Sequence, residues 1–261
     1  MTLRIYGDSF GEDDSEASWP RRVAEKLKRQ MVNKALGGSS TEYSFRLFVQ
    51  DLKAQVFGAG DIVIFVTSTP GRLFFKHQNN TAPREAGMVF TAPQSYDWYW
   101  NNVKYIRWYL ENIDWDILRL NHEAYVSAIK DAAYQCPKCL FIVLSNSDSG
   151  EDFDIKTNPP NFLRSRTYLL EVSRREIHDG NIEKFYNDYP DPRINHLCLP
   201  NLEILSDLVI ESIRKHDISC IAYDKFKTDL IDTVTTKKDY INYVNSGMIP
   251  WRDWWYEQLK K

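Results

Sequence analysis

Cysteine is scarce in this chain. Its 261 residues hold four, at positions 136, 139, 198 and 220. A disulfide framework takes a far denser set. Cys136-Pro-Lys-Cys139 is a CxxC, but a structural zinc site takes four ligands. The pair lies between a helical stretch and an apolar run, so plain thiols are expected there, with no metal. No apolar run reaches the ~18 residues of a membrane span, and no membrane partner is expected. A basic excess is also missing: 33 Lys and Arg against 36 Asp and Glu leave a formal charge of −3. General nucleic-acid binding needs phosphate neutralisation by a basic surface, so that class is disfavoured. The N-terminus, Met-Thr-Leu-Arg-Ile-Tyr-Gly-Asp-Ser, shows no charged segment followed by an apolar run and a small-residue cleavage site. No secretory signal is read there, and a cytoplasmic location is expected.

What is present is the composition of a globular chain, 43% hydrophobic and 26% charged. Aromatics are plentiful: 8 Trp, 15 Tyr and 13 Phe, or 14%. Such a chain can bury a large core and still carry aromatic surface.

Strand and helix signals alternate. Leu3 to Tyr6 reads as a buried first strand ending at Gly7. Ser18 before Trp19-Pro20 marks a helix start. Met31-Val32 reads as a second strand. Phe45, Phe48, Val49 and Leu52 give helical spacing over 41–53. Ile62-Val-Ile-Phe-Val66 is short, apolar and β-branched, which suits a central parallel strand. Helical periodicity covers about 98–134, Leu140 to Leu144 is a fourth strand, and 163–176 is predicted to be helical. A last amphipathic helix is predicted over 201–215, with Asn201 as its cap and Leu202, Leu205, Leu208, Val209 and Ile213 on one face. Irregular stretches at about 72–96 and 145–160 read as insertions, and 217–261 as an aromatic-rich C-terminal extension of a domain spanning 1–216. Trp98, Tyr105, Trp108 and Tyr109 read as helix packing, and Trp251, Trp254, Trp255 and Tyr256 as a surface that docks on the domain or on a partner.

This alternation implies a parallel sheet covered on both faces. Ligands then sit at the carboxyl ends of the strands. Asp8 and Ser9 follow strand one, Gly38, Ser39 and Ser40 follow strand two, and Thr67 and Ser68 follow strand three. All should lie along that edge. A serine at a strand end is a weak nucleophile until a base removes its proton. His196, in Asn195-His196-Leu197 just before the last helix, is either a general base within reach of Ser9 at that edge or an ordinary loop histidine, and its context alone favours the loop reading.

Ile5-Tyr-Gly-Asp-Ser-Phe10 with Ser18-Trp-Pro20, the Asn33…Gly38 block, and Asn195-His196-Leu197 before the last helix resemble, in order over residues 3–215, the SGNH (GDSL-like) hydrolase superfamily. The final block is similar to versions found in bacteriophage genomes. The resemblance implies a three-layer, flavodoxin-like α/β sandwich. It implies a serine esterase or deacylase acting on a small-molecule or glycan ester, with no cofactor. Ser9 would be the nucleophile, His196 the base, and the Ser9 and Gly38 N–H groups the oxyanion hole. Two positions depart from the family pattern. After strand three the family supplies an Asn, whereas this chain reads Thr67-Ser-Thr-Pro-Gly-Arg72, so Ser68, Thr69 and Arg72 are the substrate-binding candidates. The family's Asp stands three residues before the His, where this chain has Arg193. Asp191, five before, is the candidate to orient His196. These departures leave a second reading, an inactive sandwich serving as a binding or structural module, for example in a phage particle.

Overall fold

The computed structural model describes residues 1–12, 18–37, 39–70, 114–146, 158–176, 197 and 199–230. Five strands form one parallel sheet: β1 Thr2–Tyr6, β2 Gln30–Asn33, β3 Ile62–Thr67, β4 Leu140–Ser145 and β5 Phe162–Arg164. Their order is β2-β1-β3-β4-β5. The helices are α1 Trp19–Lys26, α2 Thr41–Lys53, α3 Trp115–Gln135, α4 Leu169–Arg175 and α5 Leu199–Lys215. Among the described residues no helix is long and apolar enough to cross a membrane.

The sheet is covered on both faces. Leu3, Ile5, Ile62, Ile64, Val66, Ile142 and Leu144 pack against Trp19 and Val23 of α1, Leu169 and Val172 of α4, and Leu205 and Val209 of α5. The alternate residues Tyr6, Val63, Phe65, Phe141 and Val143 pack against Phe48 of α2 and Val126, Ile129 and Ala133 of α3. Every residue of β3 and β4 is buried. That explains their continuous apolar sequence, since strands with two covered faces lose the polar alternation of a half-exposed sheet. Phe48 meets Tyr6, Phe65 and Phe141 edge to face, with centroids 5.6 to 6.3 Å apart, the geometry that aromatic quadrupoles favour.

Three sequence expectations need correction. The segment 163–176 is not one helix: Phe162–Arg164 adds a fifth strand beside β4, and the helix begins at Leu169. Arg164 forms a two-bond pair with Glu123 of α3, at 2.7 and 2.7 Å, which accommodates a charged residue in this edge strand. The last helix starts at Leu199, not Asn201. Pro200 fits the first turn, where its missing N–H costs nothing. Asn201 is fully buried inside the helix, donating to Glu176 (2.7 Å) and to the Lys227 carbonyl (2.9 Å) and accepting from the Lys227 N–H (2.8 Å). It ties the helix to distant segments and does not cap it. Ser18 stands at the N-cap of α1, but its side chain does not cap the helix.

Residues 217–230 pack on the same core. Ile221 and Phe226 join the α1/α4/α5 layer, and Arg175 stacks 4.3 Å over the Tyr223 ring. Cys136 to Cys139 form the turn from α3 into β4, with the Cys139 thiol donating to the Gly58 carbonyl at 3.1 Å. The expected helix before 114, the insertion at 72–96, most of that at 145–160, and the tryptophans at 251–255 lie outside the described residues.

Candidate active site

The Gly7-Asp8-Ser9 turn leaves β1 at the carboxyl edge of the sheet. Here β1 has β2 on one side and β3 on the other. The chain passes from β1 to β2 on one side and then crosses to β3 on the other. The resulting crevice between strand ends is where open α/β sheets place their ligands. Ser9 is half-buried in this turn.

The turn is fixed from several directions. Gly7 has φ +156°, and a Cβ there would lie 2.7 Å from both the Cβ and the carbonyl oxygen of Val66. Only glycine allows the turn to press so closely on β3. The Gly7 carbonyl accepts from the Leu36 N–H (3.0 Å) and from the hydroxyls of Ser39 (3.1 Å) and Ser44 (2.9 Å). Asp8, 1% exposed, accepts the Phe10 N–H on one carboxylate oxygen (3.0 Å) and the Asn146 amide on the other (3.2 Å). Its carbonyl accepts the Gly11 N–H at 2.9 Å. This is an aspartate folding back on its own backbone, as such residues do in turns. Asn33, at the end of β2, donates to the Gly11 carbonyl (2.8 Å) while its own oxygen takes the Ala35 N–H (2.8 Å). Trp19 of α1 donates its indole N–H to the Phe10 carbonyl (2.6 Å). Strands β1, β2 and β4 and helices α1 and α2 therefore all hold the residues flanking Ser9.

The loop after β3 meets the start of α2. The Thr41 N–H donates to the Ser68 hydroxyl (2.8 Å), the Ser68 N–H donates to the Thr41 hydroxyl (2.9 Å), and the two hydroxyls lie 3.0 Å apart. Ser68 is fully buried in this exchange, while Thr69 is half-buried and lines a small pocket with Thr41, Glu42, Asn121, His122 and Tyr125.

Polar atoms without partners gather at the neighbouring strand ends. Thr67 and Ser145 are paired in register across β3 and β4. Both hydroxyls, and the side-chain oxygen of Asn146, are buried without a hydrogen-bond partner. Most buried polar groups find a partner, so a cluster of exceptions marks a place where water or a ligand group completes the network.

Gly38, Arg72, Asp191 and His196 lie outside the described residues. Leu197 is buried in the core. Arg22 pairs with Glu203 and Lys26 with Asp207, so α5 runs parallel to α1. Helix α1 starts at the carboxyl edge, directly after the Ser9 turn, and so α5 starts there too. Asn146 and His122 were not singled out from sequence as site residues. The polar run after a buried strand, Ser145-Asn146, was the signal available for the first. Among the described residues no group of three or more His, Cys, Asp or Glu side chains is placed to hold a metal ion.

No family model matches the chain, and no curated protein matches it. Several solved structures are similar at low level, two of them as follows. One is a protein described as lipolytic and of the G-D-S-L family, from Desulfitobacterium hafniense. It has 18% identity and a TM-score of 0.31 over 55% of this chain, and the match spans 59% of that protein's chain. The other is the psychrotrophic esterase EstA from Pseudoalteromonas sp., inhibited by monoethylphosphonate. It has 9% identity and a TM-score of 0.43 over 82% of this chain and 97% of that one.

Proposed function

We propose that the chain is a serine hydrolase of ester bonds. The observation that carries this reading is the braced Gly7-Asp8-Ser9 turn, which holds a half-buried serine in the crevice between the ends of β1 and β3. The strand order 2-1-3-4-5 is that of flavodoxin-like sheets, which bind ligands at this point. In the proposed reaction the Ser9 hydroxyl oxygen attacks the ester carbonyl carbon and its proton passes to His196. The carbonyl oxygen becomes an oxyanion facing the N–H groups of Ser9 and Gly38, where loss of one donor typically costs ~10²–10³ in rate. The C–O bond to the leaving alcohol breaks, and His196 returns the proton to that oxygen. Water then attacks the acyl-serine by the same route in reverse. Asp191 orients His196. Thr69 and Arg72 face the substrate, and Ser68 contributes through the loop that its bonds to Thr41 fix.

The expected outcome is loss of nearly all p-nitrophenyl acetate turnover in Ser9→Ala, with the protein still folded. In a subtilisin, loss of the nucleophile costs roughly 10⁶ in kcat. Unchanged turnover would remove Ser9 from the mechanism.

One observation favours a second reading. Ser68 follows the strand after which the family places an Asn, and its hydroxyl is committed to Thr41. A module that binds without reacting would keep the same turn. A fluorophosphonate probe separates the two readings: labelling at Ser9 supports the hydrolase, and no labelling of folded protein supports the module. The phage-particle setting rests on the sequence resemblance alone.

A further inference from the structure

Glu12 follows Ser9 by three residues, and the chain is pinned where it leaves the turn. The Asp8 carbonyl accepts the Gly11 N–H (2.9 Å), and the Gly11 carbonyl accepts the Asn33 amide (2.8 Å). Gly11 is pressed against Ala35 and Val66: a Cβ there would lie 3.2 Å from a side-chain carbon of each. The segment after β2 closes on the same turn. Its Leu36 N–H (3.0 Å) and Ser39 hydroxyl (3.1 Å) both bond the Gly7 carbonyl. Gly37 stands between these two contacts, and the Glu12 carboxyl group lies over it. A Cβ on Gly37 would be 3.3 Å from the Glu12 carboxyl carbon and closer still to one of its oxygens. The carboxylate therefore sits against the loop that wraps the Ser9 turn, one residue before Gly38.

Its charge has no answer within the described residues. Glu12 is half-buried, and among the described residues it makes no hydrogen bond and no ion pair. Two basic side chains on the flanking elements turn to other carboxylates, Lys34 to Asp51 at 2.7 Å and Arg22 to Glu203 at 3.1 Å. A second carboxylate, Asp8, precedes Ser9 and takes bonds from the Phe10 N–H and the Asn146 amide, both neutral donors. In a cleft with low-dielectric walls, charge of one sign draws ligands of the other.

We propose that Glu12 selects esters that carry a positive charge, holding the cation beside the Ser9 crevice. An anionic ester meets repulsion there, and a neutral one gains nothing from the carboxylate. The preference is the reverse of the one Arg72 alone would impose. The inference takes the ester from the hydrolase reading, but binding of the cation does not require cleavage.

The test compares molecules of one shape with and without the charge. The full chain is titrated with choline chloride and with 3,3-dimethylbutan-1-ol, and the Gly37 amide is followed by ¹H–¹⁵N correlation. Choline should shift it in a saturable way and bind about fivefold more tightly than the alcohol, the upper end for an exposed ion pair. Glu12→Gln should remove that difference, and added salt should shrink it. In turnover, kcat/KM for acetylcholine should exceed that for 3,3-dimethylbutyl acetate about fivefold more in the wild type than in Glu12→Gln. Choline bound no tighter than the alcohol, or bound equally well by Glu12→Gln, would overturn the proposal. Choline bound through Glu12 with neither ester cleaved would support it and sink the hydrolase reading instead. Ser9-dependent cleavage with no charge preference would do the reverse.

Discussion

The two edges of the sheet each bury an aspartate, and they treat it differently. At the amino edge Asp61 is 5% exposed and both its oxygens are engaged: one by the Thr2 N–H at 2.6 Å, the other by the Gly58 N–H at 3.0 Å and Arg4 at 3.5 Å. The same corner is closed by backbone bonds, Gly60 to Lys138 and Leu140 to Asp61. At the carboxyl edge Asp8 is as deeply buried, but the atoms beyond it are left open: the Thr67 and Ser145 hydroxyls and the Asn146 side-chain oxygen have no partner. One edge completes its hydrogen bonds within the chain. The other keeps buried polar atoms in reserve beside a half-exposed serine. Local rules are satisfied where only stability is at stake and broken where a ligand is expected.

Paired substitutions should separate these roles, and the largest effect is expected at the turn itself. Gly7→Ala places a methyl group 2.7 Å from the Val66 carbonyl oxygen. The strand ends must part, so turnover should fall by more than ~10²-fold, because small misplacements of reacting groups are costly. Stability should drop by about 1–3 kcal/mol, as in overpacked cores. Urea unfolding and ester hydrolysis measured on the same preparation check both. Normal turnover with normal stability would show that the turn has slack, and the comparison would fail.

Asp61→Ala and Asn146→Ala form the central contrast. Asp61→Ala strands buried N–H donors at the amino edge and should cost about 2–4 kcal/mol, with kcat/KM unchanged in the fraction that folds. Asn146→Ala removes an amide that braces Asp8 but also removes an oxygen that is already unpartnered. It strands one oxygen of buried Asp8 but frees the fold of an unpartnered one, so its stability cost should be about 1–2 kcal/mol, below that of Asp61→Ala, while kcat should fall about tenfold as the turn loosens. If Asp61→Ala impaired turnover, or Asn146→Ala left it unchanged, the two edges would not differ as described.

How far the sequence foretold this follows from the range of each interaction. β3 and β4 were readable because burial on both faces writes itself into five or six consecutive residues. Helix α2 was readable because Phe45, Phe48, Val49 and Leu52 repeat locally. The Gly7-Asp8-Ser9 turn was readable too, since Asp8 bonds to Phe10 two residues on. β5 was not: three residues give no period, and Arg164 is neutralised by Glu123, 41 positions away. Asn201 looked like a cap because its partners, Glu176 and Lys227, stand 25 and 26 positions off. The brace from Asn146 to Asp8 spans 138 positions, and the bare nitrogens of His122 exist only through burial by other segments. In this chain local backbone chemistry is legible from sequence, and polar contacts between distant segments are not.

The smallest expected effect is a pH dependence that belongs to the amino edge. Burial alone would raise the Asp61 pKa, but the Gly58 and Thr2 N–H groups and Arg4 outweigh it and hold the carboxyl below its usual value. A carboxyl with a lower pKa folded than unfolded stabilises the fold fully above the unfolded value. That stability is lost as pH falls through the unfolded and then the folded value, because the unfolded chain binds the proton first. Wild-type stability should therefore decline from about pH 5 downward, as paired carboxylates do. Asp61→Asn should start lower at neutral pH and decline less steeply over the same range. Urea midpoints at a series of acidic pH values measure the two slopes. Equal slopes would mean that Asp61 is no better held than an exposed carboxylate, and the amino edge would lose the closed hydrogen bonding that sets it apart from the edge bearing Ser9.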